Sequence, residues 1–220
     1  MTLGQPAFAV TPPILKHVPK TRLWVGVAFC VALSLAAVVL ASVGTEPIGI
    51  RRALQATGRL AFLLFWVAYS GGALATLFGP RFNAAARHRR EFGLAFASAI
   101  TVHFGLILWL YTISTQPPVS NTTLVFFATA LFWTYLLAVL SIKRVAQALG
   151  GWCCKILRLV GLEYISFAFL SDFIPHPLHW DAKSLLGYLP FSILAVMGIV
   201  LRLAAWTRRN RWITRQASPS

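Results

Sequence analysis

The sequence predicts an all-α, polytopic membrane protein built as a bundle of six transmembrane helices, and two observations carry this prediction. Hydrophobic residues make up 58% of the 220-residue chain and charged residues only 11%, whereas a soluble domain usually has about 25% charged residues. Residues 92–142 form a run of 51 positions without Asp, Glu, Lys or Arg. As a single helix this run would extend roughly 75 Å, more than twice the thickness of a bilayer's hydrocarbon core, so the chain has to turn back within it.

Six segments approach the length of about 20 mostly apolar residues that a transmembrane helix needs. The first is too long for the apolar core of a cleavable signal peptide, so we interpret it as a retained anchor. The polar stretch 116–121 separates the third segment from the fourth, and Arg158, Glu163 and Asp172 interrupt the fifth. The predicted spans are 23–43, 60–78, 92–114, 122–142, 156–174 and 185–206.

The basic residues are distributed unevenly between the two sides of this bundle. Fourteen of the 20 Lys and Arg residues lie in the N-terminal tail 1–22, the loops 79–91 and 143–155, and the C-terminal tail 207–220. Basic loops stay on the cytoplasmic side of a membrane, so both termini are predicted to be cytoplasmic. The same asymmetry explains the net charge of +15. The lipid bilayer is therefore the predicted partner, and we do not interpret the charge as a sign of nucleic-acid binding.

The connections between the spans are too short to form a soluble domain. The longest loop between spans, residues 79–91, has 13 residues. A nucleotide-binding or flavin-binding domain is therefore excluded from the loops, and any redox or transport chemistry has to take place inside the bundle. Other chains would supply the rest of the machinery for such chemistry.

His103 is the most informative residue of the predicted bundle. It lies about 11 residues into the third span, close to the membrane centre, where an ionisable group is expensive and usually faces the bundle interior. Neutral imidazole is a good iron ligand, so one interpretation is an axial haem ligand. The other is a histidine that is hydrogen-bonded to a neighbouring helix.

The fifth span contains charged residues whose roles differ by depth. Arg158 lies near the cytoplasmic end and can extend its guanidinium to the interface. Glu163 lies deeper, about seven residues into the span, and cannot reach water so easily. It is either a proton-relay group or a neutral carboxyl bonded to a hydroxyl such as Tyr135 or Ser98.

Two further groups have donor atoms that bind metals. The adjacent Cys153 and Cys154 lie in a basic loop without the four ligands of a zinc site, and reduced structural thiols are the favoured interpretation. His176 and His179, in the outer loop after the fifth span, are candidates for binding metal, quinone or the edge of a haem. Packing beside Trp180 at the membrane interface is the favoured interpretation of these two histidines.

Two short motifs resemble the ferric-reductase-like transmembrane superfamily. They are Thr57-Gly58-Arg59-Leu60-Ala61 and Arg89-Arg90-Glu91-Phe92-Gly93-Leu94-Ala95-Phe96, with His103 following 13 residues after Arg90. The resemblance extends over about residues 53–173 and is closest to the haem-binding membrane subunit of the bacterial methionine-sulfoxide reductase system. It implies that His103 binds a b-type haem in a bacterial inner membrane and that electrons pass from quinol or a cytoplasmic flavoprotein to an acceptor on the outer side. The chain would then be at most the membrane electron-transfer subunit of an oxidoreductase.

The sequence departs from this family in the fifth span. Leu157 and Leu170 stand at the positions where the family has two histidines, and no histidine lies between His103 and His176.

Three hypotheses follow. In the first, His103 binds one b-type haem, with His176, His179 or water as the opposite ligand, in a sleeve formed by aromatic residues of the third and fourth spans (Phe104, Trp109, Phe126, Phe127, Phe132 and Trp133). In the second, the chain is a haem-free accessory or assembly subunit. In the third, it is a small proton-coupled transporter built around Glu163 and His103.

Overall fold

The computed structural model describes residues 20–114, 120–174 and 182–216, and within these ranges the chain forms helices and no strand. A 3₁₀ turn, Pro80–Phe82, follows the second helix. The helices in chain order are α1 (Lys20–Val43), α2 (Pro47–Phe78), α3 (Asn83–Arg87), α4 (Arg89–Ile113), α5 (Asn121–Leu140), α6 (Lys143–Ala148), α7 (Gly151–Phe173) and α8 (Ala182–Gln216).

Local chemistry accounts for several helix ends. Pro47 opens α2, where its missing N–H group costs nothing. Ser120 caps α5 by accepting a hydrogen bond from the backbone N–H of Thr123 at 3.2 Å. Gly79 ends α2 with a φ of 80°, a conformation that residues with a Cβ rarely adopt. These signals divide a mostly apolar chain into helices of defined length.

Five of the helical segments are long and apolar enough to cross a membrane: Thr21–Val43, Pro47–Phe78, Arg89–Ile113, Asn121–Leu140 and Gly187–Asn210. The chain is therefore an all-helical membrane protein, as the composition predicted. Helix α7, at 23 residues, has the length of a span but contains the charged residues noted above. Its role as a sixth span stays a prediction.

Helix α2 begins much earlier than the predicted start at residue 60. The predicted span began only after Arg51, Arg52 and Arg59, yet the helix begins at Pro47. Its first turns are amphipathic, with Ile50 buried and Arg51 exposed. The arginines therefore lie along one face of a continuous helix instead of marking a loop.

The core is built around α2, which packs against α1, α4 and α8. The α2–α4 contact contains fully buried alanines, among them Ala53 and Ala61 on α2 and Ala95 and Ala99 on α4. Small residues allow membrane helices to approach closely, so that van der Waals contacts hold them together. At the far end of α2, Arg208 of α8 donates hydrogen bonds to the carbonyls of Thr76 and Leu77, each at 3.0 Å.

Helices α5 and α7 form a second packed pair, and α5 makes only limited contact with α4. An aromatic cluster connects this pair to the core, because Phe62 and Phe65 of α2 contact Phe169 of α7 with ring centroids 5.2 and 5.4 Å apart. A cleft therefore remains between the α2–α4 side of the bundle and the α5–α7 pair. The candidate functional site lies in this cleft.

The α5–α7 pairing depends on Gly161, which lies against the ring of Trp133. A Cβ atom at Gly161 would lie 2.8 Å from Cε3 of Trp133, closer than packed side chains approach. We expect Gly161→Ala to destabilise the detergent-solubilised protein by about 1–3 kcal/mol, the usual cost of overpacking a core. Gly105→Ala is the matched control, because no atom lies within 4 Å of its added Cβ. Equal thermal unfolding midpoints for the two variants would contradict this description of the contact.

Candidate functional site

A cavity of about 430 Å³ occupies the cleft between the α2–α4 side and the α5–α7 pair. Residues of α2, α4, α5 and α7 line it, together with Tyr188 at the start of α8. Most of the lining side chains are apolar, and Phe104, Leu131 and Phe169 are examples. Ligand pockets usually have volumes of about 300–1,000 Å³, so this cavity has the size of a binding site.

His103 lines the cavity and is held in place by α2. Its Nδ1 lies 3.1 Å from the hydroxyl oxygen of Thr57, and Thr57 is itself fully buried. The same hydroxyl lies 2.8 Å from Ala53 O and 3.2 Å from Leu54 O. A protonated Nδ1 donates to Thr57 and leaves Nε2 with the free lone pair, whereas an unprotonated Nδ1 accepts from Thr57. Thr57 is the described side chain that hydrogen-bonds to His103.

Gly58 allows the imidazole to lie this close to α2. A Cβ atom at this position would be 3.2 Å from Cε1 of His103 and 3.6 Å from Nδ1. The first separation is tighter than most side-chain contacts, so a larger residue would push the ring away from Thr57. The Thr57-Gly58 pair thus supplies both the hydrogen bond and the space for the histidine.

Two more polar groups border the cavity without satisfied hydrogen bonds. Within the described residues, the buried Nε of Arg59 and the buried hydroxyl of Tyr111 have no hydrogen-bond partner. The Arg59 guanidinium lies over the rings of Tyr188 and Phe191, with centroids at 5.2 and 5.3 Å. Buried donors are normally paired, so these two groups suit a ligand that carries hydrogen-bond acceptors. Arg51 and Asp172 also line the cavity.

The predicted aromatic sleeve is only partly correct. Phe104 and Phe127 line the cavity, but Phe132 and Trp109 are 61% and 39% exposed on the outside of the bundle. Phe126 packs against Tyr164 and Phe167 of α7, and Trp133 packs against Gly161. The remaining aromatic wall comes from Phe96, Phe169 and Phe173. Hydropathy alone did not identify these residues, because their position at the cavity depends on how the helices pack.

Glu163 lies in a separate polar cluster with Tyr69 and Arg202. The hydroxyl of Tyr69 donates to Oε2 of Glu163 at 2.8 Å, and Nη1 of Arg202 lies 3.0 Å from Oε1. The Arg202 guanidinium also lies over the Tyr69 ring, 4.3 Å from its centroid. Glu163 of α7 thus forms an ion pair with Arg202 of α8, and Tyr69 of α2 adds a hydrogen bond to the same carboxylate.

The hydroxyl partners suggested for Glu163 from the sequence were wrong. Ser98 donates to the carbonyl of Val25 at 2.9 Å, and the Tyr135 hydroxyl lies 3.0 Å from that of Thr101. Nor do Glu163 and His103 share one site. The residues of α2 that they contact, Tyr69 and Thr57, are 12 positions apart, roughly 18 Å along the helix.

The other predicted residues lie in different surroundings. Arg158 donates to the carbonyl of Leu140 at 2.6 Å, which ties α7 to the end of α5. Leu157 and Leu170 are not among the residues that line the cavity around His103. His176 and His179 lie outside the described residues.

The cysteines are not part of this cavity. Cys154 is buried, whereas Cys153 and Cys30 are exposed, and all three have free thiols. Among the described residues, no group of three or more His, Cys, Asp or Glu side chains is arranged to hold a metal ion.

Sequence motifs alone did not identify several residues that the structure brings to these sites. Arg202 stands out as a cation inside an apolar helix, but nothing in the sequence connects it with Glu163. Tyr69 and Tyr111 are ordinary aromatic residues of apolar helices in the sequence.

No protein-family model, curated protein or solved structure matches the chain.

Proposed function

We propose that the chain is a membrane redox subunit of the ferric-reductase-like type, which binds one b-type haem in the cavity beside His103. The observation that carries this proposal is the imidazole of His103, which lines the cavity and whose Nδ1 is hydrogen-bonded to Thr57. The proposed location is a bacterial inner membrane with both termini cytoplasmic, as the distribution of basic residues indicates. The electron donor would be quinol or another membrane redox protein, and the acceptor a periplasmic partner.

The residues around the cavity fit a haem with one protein ligand. Its volume of about 430 Å³ and its apolar lining suit a flat, largely apolar macrocycle. The unsatisfied guanidinium nitrogen of Arg59 and hydroxyl of Tyr111 suit the carboxylate groups at the edge of such a molecule. A single imidazole ligand is sufficient, since a proximal histidine alone holds the iron in globins.

The protein's own contribution would be to orient the ligand and exclude water. Thr57 would orient the ring of His103, the role that hydrogen-bonding partners of metal ligands usually have. Phe96, Phe104 and Phe169 surround the site with low-dielectric material, which would affect the reduction potential of the bound group. The bound haem would supply a one-electron carrier that the polypeptide itself lacks.

A series of contacting aromatic side chains supports a path for electrons through the bundle. Phe96 borders the cavity, and its ring centroid lies 5.3 Å from that of Phe65. Phe65 in turn stacks on Tyr69 with centroids 5.4 Å apart. These contacts extend from the haem position toward the Tyr69–Glu163–Arg202 cluster, in the half of the bundle that we assign to the cytoplasmic side.

The proposal is tested by electron transfer across a vesicle membrane. Purified protein is reconstituted into liposomes that contain ferricyanide, and dithionite is added outside as the electron donor. We expect the trapped ferricyanide to be reduced faster than in empty liposomes, because the bound haem carries electrons through the bundle. His103→Ala is expected to lower the rate to that of empty liposomes, and His88→Ala, outside the cavity, to leave it unchanged. Equal rates for the wild type and empty liposomes would refute the electron-transfer role.

One observation favours a second candidate, a haem-free accessory or assembly subunit. Among the described residues that line the cavity, His103 is the sole histidine and there is no cysteine. In that case the cavity would bind another apolar ligand or serve only for packing against a partner subunit. Folded protein that carries no haem, together with a stable complex with another membrane protein, would support this second candidate.

A further inference from the structure

A second cavity, of about 190 Å³, lies at the end of the bundle where α4 and α7 begin. Its polar lining is dominated by three arginines, Arg89 and Arg90 at the start of α4 and Arg158 on α7. Ser141, just after α5, contributes a hydroxyl. We refer to this cavity as the arginine pocket.

The arginine pocket has a large local excess of positive charge. None of the described residues that line it carries a carboxylate. The carboxylate of Glu163 is occupied by Arg202 and Tyr69. That of Glu91 lies 3.9 Å from His88 Nδ1, and its buried Oε2 has no hydrogen-bond partner among the described residues. The positive charges of Arg158 and Arg202 repel that of Arg89. Three cations beside apolar walls repel one another unless an anion lies between them.

The inner walls of the arginine pocket are apolar. Phe65, Leu137 and Leu162 line them, and α4 and α5 make only limited contact along this part of the cleft. Phe96, Thr134 and Ile165 border both this pocket and the larger cavity around His103. The pocket therefore continues into an apolar seam that runs toward the middle of the bundle.

We propose that the arginine pocket binds an anionic phospholipid, with its phosphate between Arg89, Arg90 and Arg158 and an acyl chain in the seam between α4 and α5. Guanidinium groups bind phosphate oxygens through paired, charge-assisted hydrogen bonds. Basic pockets between membrane helices are typical headgroup sites for anionic lipids. The apolar walls favour a lipid over a small soluble anion, because they would be left empty by the latter.

The experiment measures lipid binding to the delipidated full-length protein in detergent by native mass spectrometry. The probes are dimyristoyl phosphatidylglycerol, dimyristoyl phosphatidylcholine, which has the same chains but no net charge, and glycerol 3-phosphate. The variants are Arg89→Gln, Arg158→Gln and the charge-retaining Arg158→Lys. Arg144→Gln is the matched control, since Arg144 is an exposed arginine of α6 that does not line the pocket.

We expect phosphatidylglycerol to bind more tightly than phosphatidylcholine, and each Arg→Gln change in the pocket to weaken it about fivefold. Arg158→Lys should keep most of the affinity, and Arg144→Gln all of it. Equal binding of the two lipids, or an unchanged preference in both Gln variants, would overturn the proposal. Glycerol 3-phosphate binding as tightly as phosphatidylglycerol would also overturn it, by indicating a site for soluble anions. If Arg158→Gln fails to fold, Arg89→Gln and Arg158→Lys still decide the question.

Discussion

Replacing Glu163 by Leu is expected to destabilise the bundle by about 3 kcal/mol, because the cation of Arg202 then remains without its partner at membrane depth. In the intact protein the two side chains form an ion pair at 3.0 Å and are 47% and 25% exposed. With α7 as the predicted sixth span, that exposed surface would face lipid, which solvates an isolated charge poorly. The measurement is the unfolding midpoint of detergent-solubilised protein in a titration with denaturing detergent.

The double variant Glu163→Leu/Arg202→Leu separates the loss of the pair from the isolation of one charge. It removes both ions, and we expect it to recover most of the stability lost in the single variant. Glu46→Leu is a control, because Glu46 precedes α2, is exposed and makes no side-chain capping bond. A double variant as unstable as Glu163→Leu would show that the cost does not come from an isolated cation.

Replacing Thr57 by Val is expected to weaken haem binding by about 10–100-fold, the usual effect of removing a hydrogen-bond partner from a metal-ligating histidine. Valine has the shape of threonine, so the packing of α2 against α4 is retained. The change removes the hydroxyl that lies 3.1 Å from His103 Nδ1. Haem affinity is measured by titrating the haem-free protein and following the Soret band.

Thr129→Val provides the matched control for this change. The Thr129 hydroxyl bonds to the carbonyl of Val125 in its own helix at 2.9 Å, so it has the same intrahelical bond as Thr57 without a contact to a histidine. We expect this control to bind haem as the wild type does. Equal affinities in the two variants would mean that Thr57 does not position the ligand.

The membrane fold could be predicted from the sequence because hydropathy reports directly on burial in lipid. The third and fourth spans, 92–114 and 122–142, lie close to the observed helices α4 and α5. Hydropathy failed at the start of α2, where an amphipathic helix extends 13 residues beyond the apolar segment. A helix end outside the apolar segment depends on capping and on contacts with neighbouring helices, which a hydropathy average does not contain.

The candidate site was predictable only in part, for a similar reason. His103 stood out because an ionisable residue in the middle of an apolar span requires an explanation. Its contact with Thr57 joins residues 46 positions apart, and that of Tyr69 with Glu163 joins residues 94 apart. Such contacts depend on which helices pack together and at what rotation. The unsatisfied donors of Arg59 and Tyr111 likewise became visible only with the cavity itself.

The most direct test of the central claim is the optical absorbance spectrum of the purified protein, oxidised and then reduced with dithionite. The protein is produced in cells supplied with a haem precursor, and His103→Ala and His88→Ala are prepared in parallel. The account predicts a Soret band that shifts on reduction for the wild type and His88→Ala, and the loss of this band in His103→Ala with the fold retained. Folded wild-type protein without a Soret band, or an unchanged spectrum in His103→Ala, would contradict it.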